Sequence, residues 1–353
     1  ALMQGRLALK SLSIAGPRIS IIRRNNGTFG LDFSNEGQSG EVLATKLLKE
    51  FFHLPDKGTS LSELSQINIL NANLILNDRK LDTVWKAPKA NISLNRGQTG
   101  IAGIADLEIN LGPTVAKFNL QGSFNTVDME TSLIVGFSNI IPSTVSKISK
   151  KFAPLKHLEL PVTGTISTKI SFDGAIKTME FDFEADKGTI KIIRPMKLAL
   201  SVKSGRITGS FDNAQSLLDI ERCEFNLGPK GHLVFQKPIN HKIPVTNISI
   251  AAKYMADIQK LEFNELTADL AGPTLNLSGV FQEIAEKVSF ELGSEIKGIE
   301  IDNLGNYWPS NFEPLTRTWV TENLSVGNLP VTRAKLSGLW SKSTGVQVDN
   351  LIG

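Results

Sequence analysis

The residues that could do chemistry are few, and the most regular of them are four carboxylates. Glu180, Asp182, Glu184 and Asp186 occupy every second position of one segment. Alternate positions place their side chains on one face of a β-strand, a pattern typical of a solvated face. A calcium site or a surface for a basic partner is the alternative for the same side chains. Glycan hydrolysis would need two carboxyl groups facing each other across a cleft, and the sequence places no such pair.

Other catalytic and metal-binding patterns are not found in the sequence. The four histidines, His53, His157, His232 and His241, lack a metal-ligand spacing such as a pair at i and i+4 on a helix. A Gly-x-Ser-x-Gly nucleophile elbow and a phosphate-binding Gly-x-x-x-x-Gly-Lys loop are also missing. The single cysteine, Cys223, excludes an internal disulfide and redox chemistry on a cysteine pair. The sequence therefore predicts a protein that is not an enzyme and uses no cofactor or metal.

Composition and charge narrow the function further. The chain has 353 residues, with 38 Lys and Arg against 35 Asp and Glu, and the small excess is spread along the sequence. Nucleic-acid-binding proteins concentrate basic residues in a patch, so nucleic acid is not expected as a partner. The best candidate for a membrane-spanning segment, residues 131–146, contains Asn139, Pro142 and several Ser and Thr. It is too polar to cross a bilayer.

Apolar and polar residues alternate with a period of two along much of the chain. Met179, Phe181 and Phe183, for example, alternate with the four carboxylates. Turn sequences such as Asp173-Gly174 and Ser204-Gly205 separate such segments about every eight to twelve residues. The pattern predicts an all-β, mostly antiparallel fold whose strands have one apolar and one polar face.

A four-residue motif that occurs three times indicates an internal repeat. Leu160-Pro161-Val162-Thr163 returns as Ile243-Pro244-Val245-Thr246 and as Leu329-Pro330-Val331-Thr332. The third copy is followed by few residues, so we expect the natural protein to continue beyond Gly353. The prediction is a single elongated section over residues 1–353, with a more divergent part over 1–159 and repeat units over 160–242, 243–328 and a truncated 329–353.

Only three short helices are predicted, over residues 41–53, 142–152 and 313–324. Pro142 and Pro314 lie in the first turns of the second and third, where proline is favoured. Three short helices cannot cover the apolar face of so long a sheet. A second sheet, the curvature of the sheet itself or a ligand must therefore cover it.

Two interpretations of the apolar face remain open. In one, the sheet curls into an open hydrophobic groove that holds hydrocarbon chains, with about 0.8 kcal/mol gained per buried CH2. In the other, the sheets close against each other as ordinary β-sandwiches. The residues expected to line the groove are Phe118, Leu120, Ile166, Ile170, Phe172, Met179, Phe181, Phe183, Ile190, Ile192, Leu198, Leu200, Val202, Leu275 and Leu277.

Several segments resemble the AsmA-like family of Gram-negative bacteria, which includes proteins of the YhdP and TamB type. The most specific one is similar to a helical segment of the YhdP type, and a second lies around the first copy of the repeat motif. A third, upstream segment fits more loosely. The residues that carry the resemblance are Tyr307-Trp308-Pro309, Pro314, Arg317, Trp319-Val320, Glu322-Asn323-Leu324 and Gly327; Leu155, Leu158, Leu160-Pro161-Val162, Gly164 and Asp173-Gly174; and Ala72-Asn73-Leu74, Asp78 and Trp85.

The resemblance implies a long, curled β-sheet with a hydrophobic groove that conducts phospholipids between the inner and outer membranes, as bridge-like lipid transfer proteins do. It implies a periplasmic section of a protein that is anchored in the inner membrane. The anchor and both membrane contacts would lie in parts outside this sequence, and envelope proteins would be further partners. The competing function is a structural or adhesive β-repeat protein with closed sheets and protein contacts on its outer face.

Overall fold

The structure is a computed structural model that describes residues 9–31, 51, 63–111, 114–192, 197–235, 240–284, 287–341 and 343–353. Strands account for 66% and helices for 10%, so the protein is all-β. In the described part of the chain, 18 strands form one large, mostly antiparallel sheet that is not closed into a barrel. Five further strands form a second sheet. The prediction of an open, mostly antiparallel β-sheet with few helices is confirmed.

The 23 described strands follow in chain order, and helical segments separate β8 from β9 and β21 from β22. The large sheet contains β1 (Ser11–Ala15), β2 (Arg18–Arg23), β3 (Phe29–Leu31), β4 (Gln66–Asp78), β5 (Thr83–Arg96), β6 (Gly100–Leu111), β7 (Thr114–Asn125), β8 (Glu130–Ile140), β10 (Val162–Ser171), β11 (Ile176–Ala185), β14 (Ser204–Asp212), β15 (Leu217–Asn226), β18 (Asn247–Met255), β19 (Lys260–Asp269), β20 (Thr274–Ile284), β21 (Lys287–Glu300), β22 (Asn328–Ser341) and β23 (Gly345–Ile352). The second sheet contains β9 (Leu158–Glu159), β12 (Gly188–Ile192), β13 (Leu198–Val202), β16 (His232–Phe235) and β17 (His241–Pro244).

The described helices are short. Where one helix was predicted over residues 142–152, the structure has α1 (Pro142–Val145) and a separate 3-10 helix (Lys150–His157). Pro154, inside the second segment, disfavours a regular α-helix there. The helix predicted over 313–324 is α2 (Pro314–Asn323), and a second 3-10 helix (Ile301–Asn306) precedes it. The helix predicted over 41–53 lies outside the described residues, except for Phe51, which is helical.

The chain divides into two compact units. The first unit comprises Ala1–Lys156 and Thr163–Met179, and the second comprises His157–Val162 and Glu180–Gly353. The repeat units inferred from the sequence stay a prediction.

In the first unit, β4 to β8 form an antiparallel meander. Two short strands, β1 and β2, both pair in parallel with β4, one after the other. Between β1 and β2 the extended conformation is interrupted at Gly16. Its φ of 64° is easily adopted only by glycine. A buried cluster fills this part of the unit and includes Ile67 and Ile69 on β4 together with Ile19, Phe51 and Leu64.

In the second unit, hairpins of the large sheet alternate with excursions into the second sheet. The chain leaves the large sheet after β11, forms the hairpin β12–β13, and returns at β14. It leaves again after β15, forms β16–β17, and returns at β18. These excursions and β9 build the second sheet in the order β17-β16-β13-β12-β9.

The repeated motif marks the return of the chain to the large sheet. Pro161 lies between β9 and β10, and Pro244 ends β17 just before β18. Val245, in the second copy, is fully buried there. The third copy differs because it lies within the continuous strand β22, where Val331 is exposed. The first two copies of the motif are therefore structurally equivalent and the third is not.

A glycine is required where each excursion begins. A Cβ atom on Gly188 would overlap the carbonyl oxygen of Glu159, and one on Gly231 would overlap that of Val245. We expect Gly188→Ala and Gly231→Ala each to lower the free energy of unfolding by about 1–3 kcal/mol, since backbone must move to admit the methyl group. Urea denaturation followed by circular dichroism measures this.

Gly293→Ala is the matched control, because a Cβ there meets only the side-chain oxygen of Ser278, at 3.3 Å. It should be neutral or slightly stabilising, as alanine restricts the unfolded chain. Equal unfolding midpoints for all three variants would contradict the tight packing at the two excursions.

Candidate functional site

The strand register of the second unit arranges apolar side chains in rows across one face of the large sheet. Residues directly opposite each other on neighbouring strands share a face, so each row can be followed from strand to strand. The outer row is Phe211, Leu218, Tyr254, Leu261, Phe281 and Phe290, and the middle row is Ile207, Cys223, Ile250, Leu266 and Leu277. We call these two rows, with Phe181 and Phe183 of β11, the apolar face of the second unit.

The opposite face carries ion pairs. Arg206 donates two hydrogen bonds to Asp182, at 2.7 and 3.0 Å, and lowers the pKa of that carboxyl group below its ordinary value. Glu295 accepts from Lys297 and Arg333, which together lower its pKa in the same way. The carboxylates around Asp182 thus belong to a solvated face with local ion pairs. Among the described residues, no group of His, Cys, Asp and Glu could hold a metal ion.

A depression of about 650 Å³ lies on this polar face. Its charged lining includes Glu184, Asp186, Arg206, Glu224 and Asp269. Their carboxyl groups lie beside one another on a single sheet face, whereas hydrolysis of a glycan needs two that face each other across the substrate. The depression is therefore a charged part of the polar face.

Four residues predicted to line the groove lie on the large sheet of the second unit. Phe181 and Phe183 are half-buried, and their rings stack with centroids 5.3 Å apart. Leu277 lies in the middle row, and Leu275 lies in an inner row with Ile248. The alternation seen in the sequence thus places these side chains on the face opposite Asp182 and Arg206.

Five other predicted groove residues lie in the second sheet. Leu200 and Val202 are only 5% and 2% exposed, since they pack against Val245, Ile248 and Ala268. They are core residues between two sheets, so the expectation that they share one open floor with Phe181 needs correction. The physical reason is that the chain leaves the large sheet at Gly188 and enters the second sheet. Because apolar and polar residues alternate in the strands of both sheets, the sequence pattern does not distinguish them. The five residues are Ile190, Ile192, Leu198, Leu200 and Val202.

The second sheet covers one margin of the large sheet. It packs on the inner row, where Phe225, Ile248, Ala268 and Leu275 lie. Beyond this margin the outer row is more open, and Tyr254 and Leu261 are 38% and 37% exposed. The inner row is therefore covered by the second sheet, and the outer row is more exposed.

The first unit has a similar apolar face on β5 to β8. Phe118 and Leu120, both predicted groove residues, are half-buried on β7. The residues between and beside them on this strand are exposed. The ring of Phe118 lies 6.3 Å from that of Phe137 on β8. The rows of this face are Ala90, Leu107, Phe118 and Phe137; Ile92, Ala105, Leu120 and Val135; and Leu94, Gly103, Gly122 and Leu133.

The remaining predicted residues of the first unit lie on β10 and β11 or just beyond them. Ile166 and Ile170 on β10 and Met179 on β11 are half-buried. Phe172 lies in the turn after β10 and is 66% exposed. Its position in the turn places it at the tip of the hairpin rather than among the rows.

The sheet of the first unit curls so that distant turns meet. A Cβ on Gly174, in the turn after β10, would lie 2.7 Å from the carbonyl oxygen of Gly27, in the turn after β2. Gly27 and Gly174 have φ of 93° and 80°, so glycine suits both turns. No sequence signal connects these two turns, which lie far apart in the chain.

A helical strap, residues 142–157, packs on the β4–β5 hairpin and was predicted only as a helix. The ring of Phe152 meets that of Trp85 edge-on, with centroids 6.2 Å apart. The Ser149 hydroxyl donates to the carbonyl oxygen of Leu81, at 2.6 Å, and Ser149 is buried. The strap is therefore fixed to the β4–β5 hairpin by both apolar and polar contacts.

The segment around Tyr307 supports the margin of the second unit. The Tyr307 hydroxyl donates to the carbonyl oxygen of Leu270, at 3.2 Å, and its ring packs on the core between the sheets. Arg317 of α2 donates to the carbonyl oxygens of Trp308 and Gly305, at 2.9 and 3.2 Å. Tyr307, Trp308 and Arg317, which belong to the segment that most specifically resembles AsmA-like proteins, therefore have a structural role at the covered margin.

Cys223 lies in the middle row and is buried. Burial raises the pKa of its thiol from 9.0 to about 11, so the thiol is neutral at physiological pH. A neutral, buried thiol behaves as a small apolar side chain. Cys223 therefore adds to the apolar face without adding reactivity.

No family model matches the chain, and no curated protein or solved structure matches it either. None of the described helices has both the length and the apolar character needed to span a bilayer.

Proposed function

We propose that this chain binds the acyl chains of phospholipids on the apolar faces of its open sheet and conducts them, without catalysis, between the inner and outer membranes of a Gram-negative envelope. The observation that carries the proposal is the outer row of the second unit, which is apolar across six strands and leaves Tyr254 and Leu261 more than a third exposed. Extended apolar surface of this kind marks sites of interaction in soluble proteins.

Hydrocarbon burial supplies enough free energy for such binding. At about 0.8 kcal/mol per buried CH2, even partial burial of a chain of about sixteen carbons contributes several kcal/mol without a headgroup pocket. Neighbouring positions in a row have similar apolar side chains, so no position holds a chain much more strongly than the next. Small differences between positions permit sliding along the row, while the headgroup stays in water.

The residues around Tyr307 support the envelope location. They resemble a segment of AsmA-like proteins. Their hydrogen bonds stabilise the margin of the large sheet that the second sheet covers. On this proposal the chain is a periplasmic section of a protein anchored in the inner membrane. Its contacts with both membranes, and any with envelope proteins, would be made by other parts.

A structural or adhesive function is the second candidate, and one observation favours it. The second sheet already closes the inner row into a dry core with Leu200, Val202 and Val245. If further contacts closed the outer row as well, the polar face with its ion pairs would be the functional surface. Such a protein would bind no lipid.

Lipid content separates the two candidates. The purified chain would be extracted with organic solvent for mass spectrometry, and native mass spectrometry would count lipids per chain, against an unrelated β-protein prepared identically. We expect several phospholipids per chain and, in a vesicle assay, transfer of fluorescent phospholipid that rises with chain concentration. A folded, monomeric chain free of lipid and inactive in transfer would contradict the proposal and favour the adhesive function.

A further inference from the structure

Basic side chains come together in the first unit where the helical strap meets the turn between β4 and β5. The Lys151 ammonium group donates to the carbonyl oxygen of Lys80, and the Ser149 hydroxyl donates to that of Leu81, at 2.6 Å. Because Lys80 and Lys151 are 71 residues apart, the charge pattern of the sequence does not reveal this cluster. We call it the basic patch and define it by Arg79, Lys80, Lys147, Lys150 and Lys151.

The positive charge of the basic patch is not balanced by nearby carboxylates. All five residues are exposed, and none of their side chains forms an ion pair with a residue that the structure describes. Residues 79–82 and 142–156 contain a single carboxylate, that of Asp82. Asp78, just before the turn, is buried and accepts a hydrogen bond from Arg23, at 3.3 Å. The patch is therefore free to bind an anion from outside the fold.

The basic patch borders the apolar face of the first unit. Ala90, in one row of that face, lies opposite Ala72, and Trp85 lies opposite Leu76. Ala72 and Leu76 share a face of β4, so Trp85 extends the apolar face toward the turn. The ring of Trp85 contacts that of Phe152, which directly follows Lys151 in the strap. Apolar surface and positive charge therefore adjoin at Trp85 and Phe152.

A phospholipid has the same order of chemistry along its length, with apolar acyl chains joined to an anionic phosphate. Arginine and lysine are the side chains that bind phosphate groups most strongly. Tryptophan suits the boundary because it combines a large apolar ring with a polar N–H group. The exposed patch also leaves the headgroup in water, as the proposed function requires.

We propose, resting on the lipid-binding function above, that the basic patch holds the headgroups of phospholipids whose acyl chains lie on the apolar face of the first unit. The patch then favours anionic headgroups over zwitterionic ones. Phosphatidylglycerol carries a net negative charge that the lysines attract. In phosphatidylcholine the positive choline group cancels the charge of the phosphate and is itself repelled by the patch.

The test compares the two headgroups on identical acyl chains. The full chain is incubated at low ionic strength with equimolar mixed vesicles of palmitoyl-oleoyl phosphatidylglycerol and phosphatidylcholine, repurified and extracted for quantification. We expect about threefold more phosphatidylglycerol to be retained, because each exposed charge contact is weak and the second unit takes both lipids. Raising the ionic strength should lower the preference, since exposed charges are screened by salt.

Two outcomes separate the patch from the proposed function. Equal retention of the two lipids would overturn selection by the basic patch and leave the lipid-binding function standing. Retention of neither lipid would overturn the binding function itself.

Two double variants with the same change in net charge locate the selectivity. Arg79→Gln with Lys150→Gln removes two charges of the patch, and neither side chain forms a hydrogen bond within the described part of the fold. We expect the preference to fall toward one. Lys86→Gln with Lys117→Gln should keep the wild-type ratio. These two lysines are exposed on the opposite face of the same sheet, next to Trp85 and Phe118 in the sequence. An unchanged ratio in the first variant, or an equal fall in both, would contradict the proposal.

Discussion

Phe181→Asp is expected to remove most of the lipid bound to the second unit while the sheet stays folded. Phe181 is half-buried on the apolar face, over Gly209 and stacked on Phe183. A bound acyl chain would displace the water that solvates a carboxylate at this position, at a cost of several kcal/mol. The carboxylate would otherwise need to take up a proton. That cost exceeds the gain from the few CH2 groups at this position, at about 0.8 kcal/mol each. Native mass spectrometry of lipid per chain measures the loss.

Asp182→Lys is the control at the next residue. Asp182 faces the other side of the sheet, and its pair with Arg206 is exposed, so losing it should change stability by less than about 1 kcal/mol. Lipid content should be unchanged. If both variants lost lipid equally, or if neither did, the apolar face would not be the binding surface.

Leu200→Asp is expected to destabilise the second unit strongly, by about 4 kcal/mol or more. Leu200 is buried between the two sheets beside Val202 and Val245. The variant loses the burial of leucine, about 2–5 kcal/mol, and leaves a carboxylate in an apolar site. Sequence reasoning alone would attribute a loss of lipid in this variant to a blocked groove. The structure attributes it to disruption of the packing between the sheets.

Ile192→Asp is the control for this variant. Ile192 belongs to the same second sheet, but its side chain is exposed. Its replacement should change the free energy of unfolding by no more than about 1 kcal/mol. Urea midpoints followed by circular dichroism distinguish the two variants. A midpoint for Leu200→Asp as high as that of Ile192→Asp would mean that the second sheet does not pack on the large one.

The two faces of each strand could be predicted from the sequence because their cause is local. Side chains on a strand point alternately to opposite sides, so Met179, Phe181 and Phe183 must face away from Asp182 whatever the strand pairs with. The ion pair of Asp182 with Arg206 and the position of Phe181 over Gly209 agree with this. The turn at Asp173-Gly174 was also readable, because Gly174 has a positive φ that glycine adopts without strain.

The division of the strands between two sheets could not be predicted. Ile190, Leu198 and Leu200 show the same alternation as Phe181, and only long-range packing decides which sheet a strand joins. The parallel pairing of β1 with β4 is equally non-local, since it brings Ser11 beside Gln66. Alternation fixes the face of a strand and leaves its partner undetermined.

Gly205 was misread for a related reason. Ser204-Gly205 has the composition of a turn, yet Gly205 lies inside β14 beneath the ring of Phe225. Glycine within a strand can mark a close approach as well as a turn. Which of the two applies depends on the residue opposite, and that residue is known only from the register.

Site-specific photocrosslinking tests the central claim most directly. Benzoylphenylalanine would be placed at Phe181 and Leu277 on the apolar face, and at their neighbours Asp182 and Ser278 on the polar face. After irradiation with phospholipid vesicles, mass spectrometry would detect lipid adducts. The account predicts adducts at residues 181 and 277 and little or none at 182 and 278. Equal labelling of both faces, or labelling of the polar face alone, would contradict binding of acyl chains on the apolar face.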